Sequence, residues 1–366
     1  MRENAIKAIE KVTTKKGFFQ KTEDNFTNMI VLTALRNLLY IEKTIYKFTQ
    51  KPKDCKPLLT SAIAELLYLD TPDYAVINSY VDIAKKRFNK PISNFINAVL
   101  RNICREKEEI INADDNAFFP KSFLETLKGY DETSIKKIEK DCKTEPATNI
   151  VYKDGKQEFI SGRVEEQEGF NEGLFWVQDK SSALPVEMLE NIKGANVLDL
   201  CSAPGGKTAQ LLSKGAIVTC VDMSNRRLET LKTNMERLNL QPKEIICADA
   251  FDYLKNYNKE PFDIILLDAP CSATGTIRRH PEIAHIKNIK DVNQSAKTQL
   301  GLLQLCNRAL KPKGTLLYCN CSMSKQEGED LIKRFLNSNP YKEIEQKRII
   351  ADEEHDGFFI SKMELK

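Results

Sequence analysis

From Asn4 to about Lys143 the apolar residues recur at intervals of three and four, as in Ile30, Leu32, Leu35, Leu38, Leu39 and Ile41, and again in Leu58, Leu59, Ile63, Leu66 and Leu67. This spacing follows the turn of an α-helix that keeps one face on a core, so it predicts a helical bundle. Prolines interrupt it at Lys51-Pro-Lys-Asp, Thr71-Pro-Asp and Lys90-Pro. Proline lacks an N–H and can open a helix but not continue one, and roughly five to seven helices fit between these breaks. After Glu145-Pro the pattern changes to short β-type runs, Asn149-Ile-Val-Tyr and Glu158-Phe-Ile, with glycines between them, which sets a boundary near residue 144. From Asn196 onward apolar runs alternate with helical stretches: Val197-Leu-Asp-Leu then 207–213, Ile217-Val-Thr-Cys-Val then 225–238, Ile245-Ile then 250–255. Phe262-Asp-Ile-Ile-Leu-Leu follows, then a loop and a helix over 292–310, and Gly314-Thr-Leu-Leu-Tyr before a helix over 325–336. Strand alternating with helix predicts an α/β fold, a parallel, doubly wound sheet with helices on both faces and a ligand site at the carboxyl ends of its strands. The chain thus divides into a helical domain (1–144), a small α/β linker (145–190) and a sheet domain (191–366).

Composition narrows this little. With 366 residues, 41% of them apolar and 29% charged, the chain is long enough for two or more cores. No apolar run approaches the roughly 18 to 20 residues of a membrane span. The first residues, Met1-Arg-Glu-Asn, put charges where an export signal would need an apolar segment, so a cytoplasmic protein with ten reduced cysteines is expected. The net charge of +3 is uneven: up to Lys143 there are 25 Lys and Arg against 20 Asp and Glu, and beyond it 30 against 32. A mildly basic helical domain suits a phosphate-bearing partner and equally a solvated helical surface.

The first strand of the sheet domain runs into Asp199-Leu-Cys201-Ser202-Ala203-Pro204-Gly205-Gly206-Lys207-Thr208. The paired glycines let a ligand approach the backbone, and the helix behind them offers free N–H groups. The second strand ends at Asp222, where a carboxylate can take both hydroxyls of a ribose. Asp249 and Asp268 end the next two strands, so with Asp199 four acids are expected around one site. A P-loop would need a glycine at Cys201, and Ser-Ala-Pro-Gly-Gly-Lys is not the dinucleotide G-x-G-x-x-G pattern. A ring of carboxylates repels pyrophosphate but suits S-adenosyl-L-methionine, which is cationic and carries no phosphate.

Two further segments each place a cysteine just past a strand: Asp268-Ala-Pro-Cys271-Ser-Ala-Thr-Gly-Thr-Ile-Arg278-Arg279-His-Pro-Glu, and Tyr318-Cys-Asn-Cys321-Ser-Met-Ser-Lys-Gln-Glu-Gly-Glu. Both should face the same crevice, and the residues alone leave open which thiol would attack a substrate. Cys319-Asn-Cys321 has no second cysteine pair and the chain has 3 histidines, so no metal is expected; Cys319 reads as a core residue.

These motifs resemble the Sun-type family of RNA cytosine carbon-5 methyltransferases, and the whole chain is similar to its bacterial small-subunit ribosomal RNA branch, which carries a NusB-like helical domain before a class I, Rossmann-like catalytic domain. Ile92-Ser-Asn-Phe-Ile-Asn-Ala-Val-Leu-Arg-Asn and Phe175-Trp-Val-Gln-Asp-Lys-Ser-Ser belong to the likeness, with 199–208 and 268–282 its most specific parts. The resemblance implies methyl transfer from S-adenosyl-L-methionine to carbon 5 of a cytosine in 16S ribosomal RNA. It makes Cys321 the nucleophile that adds to carbon 6, Asp268 the group that holds the N3 edge, protonated or sharing a proton, and Cys271 the helper in release. A thiol is only partly ionised at neutral pH, so Cys321 needs an electropositive surround, to which Lys207 could contribute. Cofactor contacts are expected from 201–207, Asp222, Asp249 and Asp268, and RNA contacts from Arg278 and Arg279. Lys85-Lys-Arg and Arg101 to Arg105 could grip RNA, or the helical domain could serve mainly for docking. Asn320, Ala273 and His285 depart from the family's threonine, glycine and tryptophan, and the segment from Tyr152 to Gly162 is short for the family. A monomer is expected; a tRNA methyltransferase and a non-catalytic assembly factor are the competing readings.

Overall fold

A computed structural model describes residues 1–15, 17–113 and 118–366, with only the backbone at Lys15 and Lys53. The chain forms two compact units, Met1–Glu125 with Asp131–Thr144 and Ile277–Asn288, and Thr126–Tyr130 with Glu145–Thr276 and Ile289–Lys366.

In the first unit, seven helices of eleven residues or more occur among the described residues: Arg2–Lys15, Asn25–Arg36, Leu38–Phe48, Lys56–Tyr68, Asp73–Arg87, Lys90–Arg105 and Glu132–Cys142. Three shorter ones, Lys107–Asn112, Lys121–Leu124 and Ile283–Ile286, repeat too few apolar residues to show in the sequence pattern. The expected breaks are where proline chemistry puts them. Pro57 and Pro91 sit in the first turns of their helices, and the Asn89 side chain caps the second by accepting from Ile92 N at 3.1 Å. Lys90–Arg105 buries one stripe, Ser93, Ile96, Val99, Leu100 and Ile103, whereas Lys56–Tyr68 is buried from Leu58 to Leu67 and forms the centre of the bundle. Glu65, sealed on that central helix, accepts from Nε and Nη2 of Arg2 at 2.9 and 2.5 Å.

The second unit holds two sheets. β1 (Thr148–Tyr152) pairs antiparallel with β2 (Gln157–Ile160) and β3 (Phe175–Val177). The larger sheet contains β4 (Asn196–Leu200), β5 (Ile217–Asp222), β6 (Glu244–Cys247), β7 (Phe262–Asp268), β8 (Leu310–Asn320), β9 (Tyr341–Ile349) and β10 (Phe358–Leu365), in the order β6-β5-β4-β7-β8-β10-β9. β4 to β8 are parallel, and alternate side chains enter two cores. Val197, Ile264, Leu266, Leu317 and Cys319 face one; Leu198, Ile265, Leu267, Leu316 and Tyr318 face the other. Residues buried on both faces explain why these strands read as unbroken apolar runs.

The sheet is not parallel throughout. β10 runs antiparallel to both β8 and β9, an edge pair that the sequence pattern did not indicate. β9 is an edge strand whose side chains are mostly in water, and its Lys-Glu-Ile-Glu-Gln-Lys-Arg-Ile has no apolar alternation to read. The expected 292–310 helix spans Ile289–Cys306, and β8 begins at Leu310 rather than Gly314.

Candidate active site

The carboxyl ends of β4, β5 and β7 and the segment after β8 surround a cleft of about 520 Å³, lined by Cys201, Asp222, Asp249, Asp268, Cys271 and Cys321 among others. Of the expected cofactor residues, Ser202, Ala203, Pro204, Gly205, Gly206 and Lys207 stand behind this lining. They build the turn. Cys201 adopts φ +62°, a conformation a side chain tolerates poorly, and Gly205 adopts +105° as the cap of helix Gly206–Ser213. A Cβ on Gly205 would lie 3.0 Å from Leu231 Cγ. Asp222 fastens the turn, its Oδ2 accepting from Ala203 N at 3.2 Å and its Oδ1 from Ser224 N at 3.0 Å.

Asp199 departs from the expected ring of four acids. It stands within β4, fully buried, with one oxygen accepting from the Thr208 hydroxyl at 2.6 Å, and it does not line the cleft. Burial pushes its carboxyl up to about 7, against the Thr208 hydrogen bond that favours the ionised form. Asp249, Asp222 and Asp268 do line the cleft. Asp249 also caps helix Ala250–Lys255, accepting from Phe251 N at 2.8 Å.

Asp268 Oδ2 accepts from Lys207 Nζ at 2.9 Å, and the Cys319 thiol points at its other oxygen from 3.6 Å. Burial alone would lower the Lys207 ammonium, but the charge of Asp268 and its hydrogen bond, with the nearby thiols Cys319 and Cys321, raise it. Cys319 is buried on the core face of β8, and burial pushes its thiol up.

The two cysteines meet. Cys271 Sγ and Cys321 Sγ are 3.4 Å apart, a hydrogen-bonding distance well beyond the ~2.05 Å of a disulfide. The hydrogen bond to Cys321, together with burial, holds the Cys271 thiol well above its ordinary range, so Cys271 keeps its proton. Asn320 is fully buried; it donates to Tyr318 Oη and to the Glu327 carbonyl, both at 2.8 Å, and accepts from Ser322 N at 2.9 Å. It therefore shapes the turn that carries Cys321.

Arg278 is not available as an RNA contact as expected. It is 2% exposed, and its carbonyl accepts from Arg36 Nη2 at 2.8 Å within the helical unit. Arg279 is half-buried, and His285 is buried with its Nε2 2.8 Å from the Leu35 carbonyl. Lys85, Lys86, Arg87, Arg101 and Arg105 are exposed. Among the described residues no helix is long and apolar enough to cross a membrane, and no group of three or more His, Cys, Asp or Glu is placed to hold a metal.

With this geometry in view, residues 186–364 match the family model described as 16S rRNA methyltransferase RsmB/F, and residues 1–105 match that of the NusB family. A ribosomal RNA small subunit methyltransferase B from Vibrio vulnificus is 30% identical over 373 residues, 89% of this chain and 87% of the relative. The chain belongs to the RsmB/F family of ribosomal RNA methyltransferases. Its fold is that of the crystal structure of PH0851, at TM-score 0.79 and 21% identity, covering 100% of this chain and 99% of that one. NSun6 from Pyrococcus horikoshii, solved with SFG, matches 56% of each chain at TM-score 0.50 and 26% identity. As a member of this family the chain is an S-adenosylmethionine-dependent methyltransferase with a NusB-like helical domain and a Rossmann-like catalytic one.

Two residues at or beside the cleft went unnoticed in the sequence. Arg227 lines the cleft, with Nη1 3.5 Å from Asp222 Oδ2; its place in the first turn of the helix after that acid is the signal that could have found it. Glu327 is fully buried beside the cysteine loops, and in sequence it is one charged residue of a charged run.

Proposed function

We propose that this methyltransferase modifies carbon 5 of a cytosine in small-subunit ribosomal RNA through a covalent bond from Cys321 to carbon 6, and that one observation supports this above the others: the 3.4 Å pairing of Cys271 with Cys321 at the margin of a cleft lined by carboxylates. The cleft suits S-adenosylmethionine. Its volume falls within the roughly 300–1,000 Å³ of small-molecule sites, and Asp222, Asp249 and Asp268 complement a cationic cofactor free of phosphate. The cofactor supplies an electrophilic methyl group; the chain's own residues do the rest.

Carbon 5 of cytosine is a poor nucleophile until a thiolate adds at carbon 6 and turns the ring into an enamine. In this reading the Cys321 sulfur forms that bond. Asp268 holds the N3 edge, and the proton that balances the attack comes from the Lys207 ammonium, 2.9 Å from its carboxylate. After methylation, water takes the carbon 5 proton, the S–C6 bond breaks to return Cys321 as a thiolate, which the protonated Cys271 stabilises by its hydrogen bond, and the N3 proton passes back to the Lys207 amine. The target base is taken out of its stack, at a cost of a few kcal/mol, and exposed basic residues of the helical domain, Lys85 to Arg87 and Arg101 to Arg105, supply phosphate contacts in compensation. Cys321→Ala should abolish transfer of a labelled methyl group to 16S ribosomal RNA while S-adenosylmethionine still binds by calorimetry. Turnover by that variant would overturn the assignment, and methylation of tRNA in preference to ribosomal RNA would overturn the substrate.

A further inference from the structure

The loop carrying Cys271 and the turn carrying Cys321 are tied together by a side chain that takes no part in the chemistry above. Glu327, at the end of a 3₁₀ turn over Lys325–Glu327, is fully buried. One of its oxygens accepts from Ser272 N and from Gln299 Nε2, both at 2.9 Å. The other accepts from the Ser322 hydroxyl at 2.7 Å and from the Ser272 hydroxyl. Its own carbonyl is held by Tyr318 Oη at 2.7 Å and Asn320 Nδ2 at 2.8 Å, both from β8.

Ser272 directly follows Cys271 in the chain, and Ser322 directly follows Cys321. One carboxylate therefore grips the residue next to each cysteine. Among the described residues no cationic side chain forms an ion pair with it; four hydrogen bonds take the place of a counter-ion. A carboxylate sealed from water without a cation is costly unless such bonds are complete. The Ser272 and Ser322 hydroxyls are also 3.2 Å apart, and Thr274 Oγ1 is 3.0 Å from Ser322 Oγ, so the whole joint is polar and closed.

We propose that Glu327 is a positioning residue which clasps the two cysteine-bearing segments and so sets the sulfur–sulfur geometry that the reaction uses. Its use in catalysis rests on the reading of Cys321 as the nucleophile; the clasp itself rests on the hydrogen bonds alone. The nearby Glu327 charge also helps keep the Cys271 thiol protonated, behind the larger effects of Cys321 and burial.

The test separates the two. In the full chain, diamide takes two electrons and two protons from a close thiol pair, forming the S–S bond and being reduced to the hydrazine; peptide mapping by mass spectrometry reads the rate of the Cys271–Cys321 link. Wild type should form it readily and Glu327→Ala at least about tenfold more slowly, while the Kd for S-adenosylmethionine stays within about threefold. The kcat for methyl transfer to 16S ribosomal RNA should fall by about a hundredfold, the scale of an ångström-sized misplacement, with KM for the RNA little changed. Glu327→Gln should restore both readouts to within about threefold, because an amide keeps an acceptor toward the two N–H donors and the two hydroxyls can reverse their bonds. Where Glu327→Ala does not fold, Ser322→Ala, which removes one arm of the clasp, should show the same split in smaller measure. An unchanged linking rate and kcat in Glu327→Ala, or failure of Glu327→Gln to restore a folded variant, would overturn the proposal. A Cys321→Ala enzyme that still methylates would overturn the nucleophile reading and leave the linking result to decide the clasp.

Discussion

Asp199 offers a quantitative check on the electrostatics of the catalytic unit. Its carboxyl, fully buried in β4 with the Thr208 hydroxyl on one oxygen, is pushed by burial from the usual 3.8 up to about 7. The folded state then holds this proton over a pH range in which the unfolded chain has lost it. With fewer protons bound when unfolded, stability falls as pH rises: it is greatest below about pH 4 and declines until the folded carboxyl ionises near 7. At about 1.4 kcal/mol per pH unit the full window amounts to about 4 kcal/mol, and the part between pH 5 and pH 8 to about 2.5 kcal/mol.

Asp199→Asn keeps the shape and an acceptor for Thr208 but cannot ionise. Other groups titrate in both proteins, so the informative quantity is the stability of the variant minus that of wild type. It should rise by about 2.5 kcal/mol from pH 5 to pH 8, the Asn form gaining on wild type. Urea unfolding at steps between these values measures it. The single tryptophan, Trp176, is 5% exposed in the same unit as Asp199, so its fluorescence follows the right transition. A difference that stays flat with pH would refute the argument that burial, rather than the Thr208 bond, governs this carboxyl.

Other perturbations probe the reacting groups. Cys271→Ala should leave a protein–RNA species visible on a denaturing gel, because the departing Cys321 sulfur loses its hydrogen-bond donor; undiminished turnover without any adduct would contradict that role. Lys207→Met removes the partner of Asp268. Breaking a sealed ion pair costs about 3–5 kcal/mol, but water reaches the Asp268 side chain, so a loss of about 2 kcal/mol is expected in denaturant unfolding, with a larger drop in kcat. A Cβ at Gly275 would collide with the Gly357 carbonyl, whose N–H donates to Gly275 O at 2.9 Å; Gly275→Ala should therefore cost about 2 kcal/mol in thermal unfolding and slow methyl transfer, and a fully stable, active variant would show that these two segments can move apart.

What could be read in the chain before any coordinates depended on how local the signal was. The strands β4, β5 and β7 are short apolar runs ended by Asp or by the Cys201 turn, and each was visible because burial on both faces leaves few polar residues to blur it. The acids Asp222, Asp249 and Asp268 followed from strand ends in a parallel sheet, where chain direction alone brings them to one edge. Asp199 follows the same rule and yet misses the cleft, because it lies one residue inside the end of β4, and its side chain turns to Thr208 on the next helix. A one-residue offset on a strand reverses a side chain's face, which is beyond the precision of a pattern read by eye.

The same limit governs the residues that join segments distant in sequence. Arg278 stands in a basic run that looks solvated, and only tertiary packing reveals that its backbone serves Arg36 from a helix 242 positions earlier. Glu327 lies in a charged stretch whose neighbours Lys325 and Gln326 are partly exposed, so composition gives no hint that this one carboxylate is sealed. Its partners Ser272 and Ser322 are ordinary small polar residues until the parallel pairing of β7 with β8 sets their loops side by side. Asn320 carries the point furthest: its amide spans Tyr318, Ser322 and the Glu327 carbonyl at once. Asn320 is therefore part of the way this chain holds Cys321 in place, and the geometry of the two sulfurs follows from a hydrogen-bonded joint rather than from either cysteine motif taken alone.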